Sequence, residues 1–187
     1  MANEMFCFQC EQTAGCVGCK GKAGVCGKTA DVAKLQDQLT GALIGLARAT
    51  DGNAQPTADT YRLIIKSLFT TITNVNFNEA TITALIDEVH AEKVKLVPNC
   101  SDCADPCGRN DDYDMQKLWN ANEDIRSLKS LILFGIRGMA AYAFHAGVLG
   151  YASDEVNAFF CKALFAIGED WAWNSCCPSF WRSASTI

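Results

Sequence analysis

Cys7, Cys10, Cys16, Cys19 and Cys26 crowd into one stretch, "CFQCEQTAGCVGCKGKAGVC", and the next cysteine is Cys100. Thiols at that density form disulfides, bind zinc or hold an iron–sulfur cluster. The spacing is Cys7-x2-Cys10-x5-Cys16-x2-Cys19-x6-Cys26. The chain has 11 cysteines, an odd number, and its start, "MANEMFCFQC", has no basic segment followed by an apolar one, so no secretory signal is expected. A cytoplasmic location follows, and a reducing cytoplasm disfavours a disulfide framework. Zinc ribbons separate their two C-x2-C pairs by about 12–20 residues, so that two knuckles can face each other. The x5 gap here is short for that, and glycines from Gly15 to Gly27 leave backbone N–H groups free to approach cluster sulfides. Spacing therefore favours an iron–sulfur cluster, with a zinc-stabilised helical interaction module as the alternative.

Other chemistry-bearing residues read more plainly. Cys100-x2-Cys103-x3-Cys107 lies in a polar loop and supplies at most part of a second metal site; surface or structural thiols are expected. Cys161, between Phe160 and Ala163, reads as a small buried hydrophobe. His145 reads as a core histidine, and His90 as a cation near a helix end. "DPCGRNDDYD" has the acidity of a calcium loop without its ligand spacing. The net charge of −5 and the absence of basic clusters exclude nucleic acid as a partner. No uninterrupted apolar run reaches the roughly 18 residues of a membrane span, because Arg137 and His145 break the longest candidate, so no membrane partner is expected.

The elements that must position the cysteines are helical, and no strand is expected. Thr29 caps a helix ending near Thr50, with Val32, Leu35, Leu39, Leu43 and Leu46 on one face. Pro56 and Thr57 open a second helix, with Tyr61, Ile64, Ile65, Leu68 and Ile72 inward. A third runs from about Asn78 to Val94 around Ile82, Leu85, Ile86 and Val89. Asn122 caps the longest helix, which is apolar around most of its circumference and is expected to be central and buried. Its Gly135 and Gly138 are expected to admit a neighbouring helix closely. Ser153 caps the last helix, with Val156, Phe159, Phe160, Ala163, Leu164 and Ile167 inward. The fold class is all-α: an up-and-down helical bundle with an N-terminal cysteine-rich cluster-binding loop.

Three segments result: 1–28, the cysteine loop; 29–171, the helical bundle; and 172–187, a tail without periodicity. A one-frame shift from Ala172 can encode an amphipathic segment, so the tail is expected to be out of frame on a truncated chain. The coding DNA tests this: no single-base change that restores a long open frame would end the idea.

"MFCFQCEQTAGC" followed by "GVCGKTADVAKLQDQLTGALIGLARA" resembles the N-terminus of the hybrid-cluster protein (prismane) family, the hydroxylamine reductases. "LFTTITNVNFN" and "EDIRSLKSLILFGIRGMAAYAFHAGVLGY" resemble its helical domain, and the likeness covers roughly residues 5–171. The resemblance implies a [4Fe–4S] cluster, less often [2Fe–2S], on four N-terminal cysteines. Matched to this chain, those are Cys7, Cys10, Cys19 and Cys26, with Cys16 as a spare thiol. It implies electrons from an external donor protein, relayed to a hybrid iron–sulfur–oxygen cluster that reduces hydroxylamine to ammonia, with nitric oxide as another small nitrogen-oxide substrate. That hybrid cluster uses His, Glu and Cys ligands from C-terminal domains, and nothing in this chain matches them. The chain alone is therefore expected to be inactive.

Overall fold

The computed structural model of the chain describes residues 5–10, 17–50, 55–97 and 111–171. Six helices are present among them: α1 (Ala30–Thr50), α2 (Ala58–Thr70), α3 (Glu79–Leu96), α4 (Met115–Trp119), α5 (Glu123–Val148) and α6 (Asp154–Gly168). No strand occurs among the described residues, only an isolated antiparallel bridge between Cys7 and Cys19. The all-α bundle is as the sequence implies.

Helix starts follow their caps. Thr29 Oγ1 accepts from Val32 N (3.2 Å) at the head of α1. Thr57 and Thr60 form a reciprocal capping box on α2. Asn122 and Ser153 cap α5 and α6 as expected, and Asn78, where the third helix is expected to begin, caps α3. The five-residue α4, capped by Asp114, is too short to show periodicity and was not foreseen.

The centre of the bundle is α1, which corrects the expectation for the longest helix. Leu39, Leu43, Ile44 and Leu46 of α1 are fully buried, and each such side chain contributes roughly 1.5–3 kcal/mol. α3 and α6 pack against α1, while α5 packs mainly on α2 and α6. α5 buries only a stripe that includes Leu133, Ile136 and Ala140, leaving Leu131 and Tyr142 exposed. An apolar circumference does not make a helix central unless other elements surround it. α5 also revises the membrane reading: it is the one described helix long and apolar enough to cross a membrane by length and composition, with an 18-residue window of mean hydropathy 1.4. Its buried stripe nonetheless carries Lys129, Ser130 and Arg137.

Close approach falls elsewhere than expected. A Cβ on Gly135 or Gly138 would meet nothing within 4 Å, whereas one on Gly41 would sit 2.2 Å from the Tyr113 carbonyl oxygen. The chain entering α4 lies directly on α1 there, and Tyr113 N donates to Gly41 O (3.0 Å). From the other side α3 holds the same segment: His90 Nε2 and Lys93 Nζ each lie 2.7 Å from the Asp112 carboxylate. Burial raises the Asp112 pKa, but the hydrogen bonds from Lys93 and His90 outweigh it and hold the group below the usual carboxylate value.

Candidate metal centre

The cysteine loop folds onto the N-terminal turns of α1. Cys7 and Cys19 exchange backbone hydrogen bonds, Cys7 N to Cys19 O (3.1 Å) and Cys19 N to Cys7 O (2.8 Å). Gly18 makes this pairing possible. Its φ of +85° suits glycine, and a Cβ there would stand 3.1 Å from both the Cys7 carbonyl oxygen and the Phe6 ring. Cys26 sits in a tight turn closed by Gly24 N to Lys28 O (2.8 Å) and Gly27 N to Gly24 O (2.9 Å). Cys7 is buried with Met5 and Ala33, and Cys19 and Ala30 pack against them. The loop's entry is braced by Phe6 and Phe8, which meet the Trp119 ring edge-on at 6.4 and 5.6 Å. The first turn of α1 therefore packs against Cys7 and Cys19.

Beneath the thiols lies a buried polar network. Lys28 is 2% exposed. Its Nζ donates to Gln9 Oε1 (2.9 Å) and to Gln36 Oε1, and stands 3.8 Å from Cys7 Sγ. Gln9 Nε2 donates to Asp37 Oδ1 (2.5 Å). Arg137 reaches in from α5: Nη1 donates to Gln9 O (3.4 Å) and Nη2 to Thr40 Oγ1 (3.1 Å). Its Nε is buried with no hydrogen-bond partner among the described residues.

Electrostatics follow from this burial. Burial pushes the Cys7 thiol up, partly offset by Lys28. It also raises Asp37 to about 6, against the lowering effect of Gln9 and Arg137. Trp119 Nε1 lies within electrostatic reach of Asp37 without an aligned hydrogen bond. One edge of Asp37 opens on a cleft of about 310 Å³ that Lys34, Asp112 and Gln116 also line. Burial lowers Arg137 to about 10, so it remains a cation at neutral pH.

The charge balance around Cys7 bears on whether a thiolate-held group belongs there. Lys28 and Arg137 are both buried cations, and none of their hydrogen-bond acceptors among the described residues is a carboxylate. Buried charge is costly unless countered, and among the described residues Asp37 is the one carboxylate in the network. Thiolates of a metal cluster would supply further negative charge, so the donor set and its surroundings suit such a group.

Of the four cysteines read as ligands, the fold pairs Cys7 with Cys19, and Cys10 and Cys26 belong to the same loop. Among the described residues no group of three or more His, Cys, Asp or Glu side chains is drawn together closely enough to hold a metal ion. Cys16, Cys100, Cys103, Cys107, Cys176 and Cys177, and with them the tail, lie outside the described residues. Cys161 is a buried hydrophobe as expected, its thiol pushed up to about 11 by burial. His145 is not a core histidine. It is exposed, edge-on to Phe69 (5.5 Å) and Phe144 (5.8 Å). His90 serves Asp112 and precedes the helix end at Leu96. Lys28 and Arg137 were not foreseen as site residues, although the basic residue inside an apolar helix was a usable signal.

A family model described as the Prismane/CO dehydrogenase family matches residues 5–180. The chain belongs to this family. Prismane-family relatives include proteins named hydroxylamine reductase. One from Clostridium perfringens is 43% identical over 187 residues, covering 89% of this chain and 34% of the relative. Others come from Solidesulfovibrio magneticus, 41% identical, and Clostridium novyi, 39% identical, covering 87% and 86% of this chain and 33% of each relative. The prismane-family chain thus spans about a third of the length of these curated relatives, whose name places them among oxidoreductases.

Proposed function

We propose that the loop holds an iron–sulfur cluster through Cys7, Cys10, Cys19 and Cys26, and that this chain is the electron-relay portion of a hydroxylamine reductase-type enzyme. The observation that carries the reading is the buried pair of cations beside Cys7. Lys28 and Arg137 are 2% and 4% exposed and share a single carboxylate, Asp37, among the described residues, so thiolate charge beside them would balance the second cation. The family membership and the relatives' printed name support the same reading.

A [4Fe–4S] cluster, or a smaller [2Fe–2S] one, would supply one-electron storage at the loop. The chain's own residues do the remaining work. The Cys7–Cys19 bridge and the turn at Gly24–Lys28 fix the thiols. Phe6, Phe8 and Trp119 pack beneath the loop and limit water on that side. An external electron-donor protein would reduce the centre in a cytoplasmic setting. In the longer protein the electrons would reach a catalytic hybrid cluster, where hydroxylamine takes two electrons and two protons to give ammonia and water; nitric oxide is a second candidate substrate.

The test is anaerobic purification followed by stepwise addition of dithionite. A brown chain that bleaches reversibly, and a Cys7→Ser variant without that signal, is the expected result. A colourless chain carrying zinc would overturn the redox reading and favour a structural metal module.

A further inference from the structure

We propose that Arg137, acting with Lys28 and opposed by Asp37, sets the reduction potential of the centre held by the cysteine loop. The inference rests on the iron–sulfur reading above and adds to it the residues that tune the centre.

Arg137 lies on α5, far along the chain from the loop it reaches, with Gln9 128 residues and Thr40 97 residues away in sequence. It is 4% exposed. Both acceptors of its guanidinium are neutral, a backbone carbonyl and a hydroxyl. Thr40 donates its own proton to Gln36 O (2.8 Å), which leaves an oxygen lone pair for Arg137. A cation bound only to neutral acceptors keeps its charge available to the surroundings. Asp37 is its nearby carboxylate, and the Gln9 carbonyl it binds lies in the chain between Cys7 and Cys10. Lys28 is a second buried cation, 3.8 Å from Cys7 Sγ. Asp37 faces both cations and is the one negative group in the network among the described residues.

Reduction adds one electron to a centre already carrying thiolate charge, and fixed cations favour the more negative state. At an effective dielectric constant near 20 and a separation of about 10 Å, one unit charge changes such an equilibrium by more than tenfold. Removing Arg137 therefore makes the centre harder to reduce, and removing the Asp37 charge makes it easier. A purely structural role for these residues would not produce shifts of opposite sign.

The experiment is an anaerobic redox titration, followed by visible absorbance at pH 8. It compares the purified chain with Arg137→Gln, Arg137→Lys and Asp37→Asn, each with iron and sulfide content measured. Arg137→Gln should keep its iron but show a reduced-to-oxidised ratio at fixed poise lowered about tenfold, a shift of about 59 mV for a one-electron couple. Arg137→Lys should stay within about threefold of the parent, and Asp37→Asn should move the opposite way. Unmoved potentials in iron-replete variants would overturn the tuning assignment alone. If Arg137→Gln does not fold, Asp37→Asn decides, and the absence of its positive shift overturns the proposal. A parent chain without iron and sulfide would overturn the cluster reading and this inference with it.

Discussion

Replacing Asp37 with asparagine should change how stability depends on pH. Burial raises the Asp37 carboxyl from 3.8 to about 6 in the folded chain. The folded state therefore holds a proton between about pH 4 and 6 that the unfolded state releases. Its stability is fully favoured below the lower value and falls as pH rises through the window. At 1.36 kcal/mol for each pKa unit, the penalty at neutral pH is about 3 kcal/mol. That figure is an upper one, because an edge of Asp37 opens on the 310 Å³ cleft and water reaches it there. Asparagine keeps the shape and the acceptor for Gln9 but carries no charge. Urea unfolding of the parent and Asp37→Asn chains at pH 4.5 and 7.5 isolates the effect. Asp37→Asn should gain roughly 1–3 kcal/mol over the parent on going to the higher pH. A difference between the two chains that does not change with pH would refute the reasoning, whatever its absolute size.

Three further outcomes follow from the packing. Gly41→Ala forces a methyl against the Tyr113 carbonyl oxygen at 2.2 Å, so urea unfolding should show a loss of about 1–3 kcal/mol despite alanine's better helix propensity; an unchanged midpoint would contradict the close approach. Asp112 lies below its usual pKa because of Lys93 and His90, so its contribution is present above about pH 4 and lost as pH falls further. Solvent screening keeps that contribution below about 1 kcal/mol, and Asp112→Asn should flatten thermal midpoints on the acid side only. Cys161, buried with its thiol pushed up to about 11, should resist a thiol reagent at pH 7.5 until urea unfolds the chain; modification at the rate of a free thiol in the folded state would count against its burial.

The helices were legible wherever a cap coincided with a change of periodicity. Thr29, Thr57, Asn78, Asn122 and Ser153 each mark a start that the structure repeats. Burial was less legible. Periodicity reports which surfaces are apolar, and α5 is apolar around most of its circumference, yet only the stripe facing α2 and α6 is covered. Glycine spacing misled for a similar reason. Gly41 and Gly135 look alike in sequence, and only Gly41 has a remote backbone segment resting on it. At the site, thiol type and spacing were readable because one loop carries them. Arg137 was not, because its role depends on α5 reaching a loop 128 residues earlier.

The most direct measurement is the iron, sulfide and zinc content of the anaerobically purified chain, repeated for Ser replacements of Cys7, Cys10, Cys16, Cys19 and Cys26. About four irons and four sulfides per chain, lost in every replacement except Cys16→Ser, is the result expected of the proposed ligand set. One zinc per chain with neither iron nor sulfide, or iron retained when Cys7 or Cys19 is replaced, would contradict it.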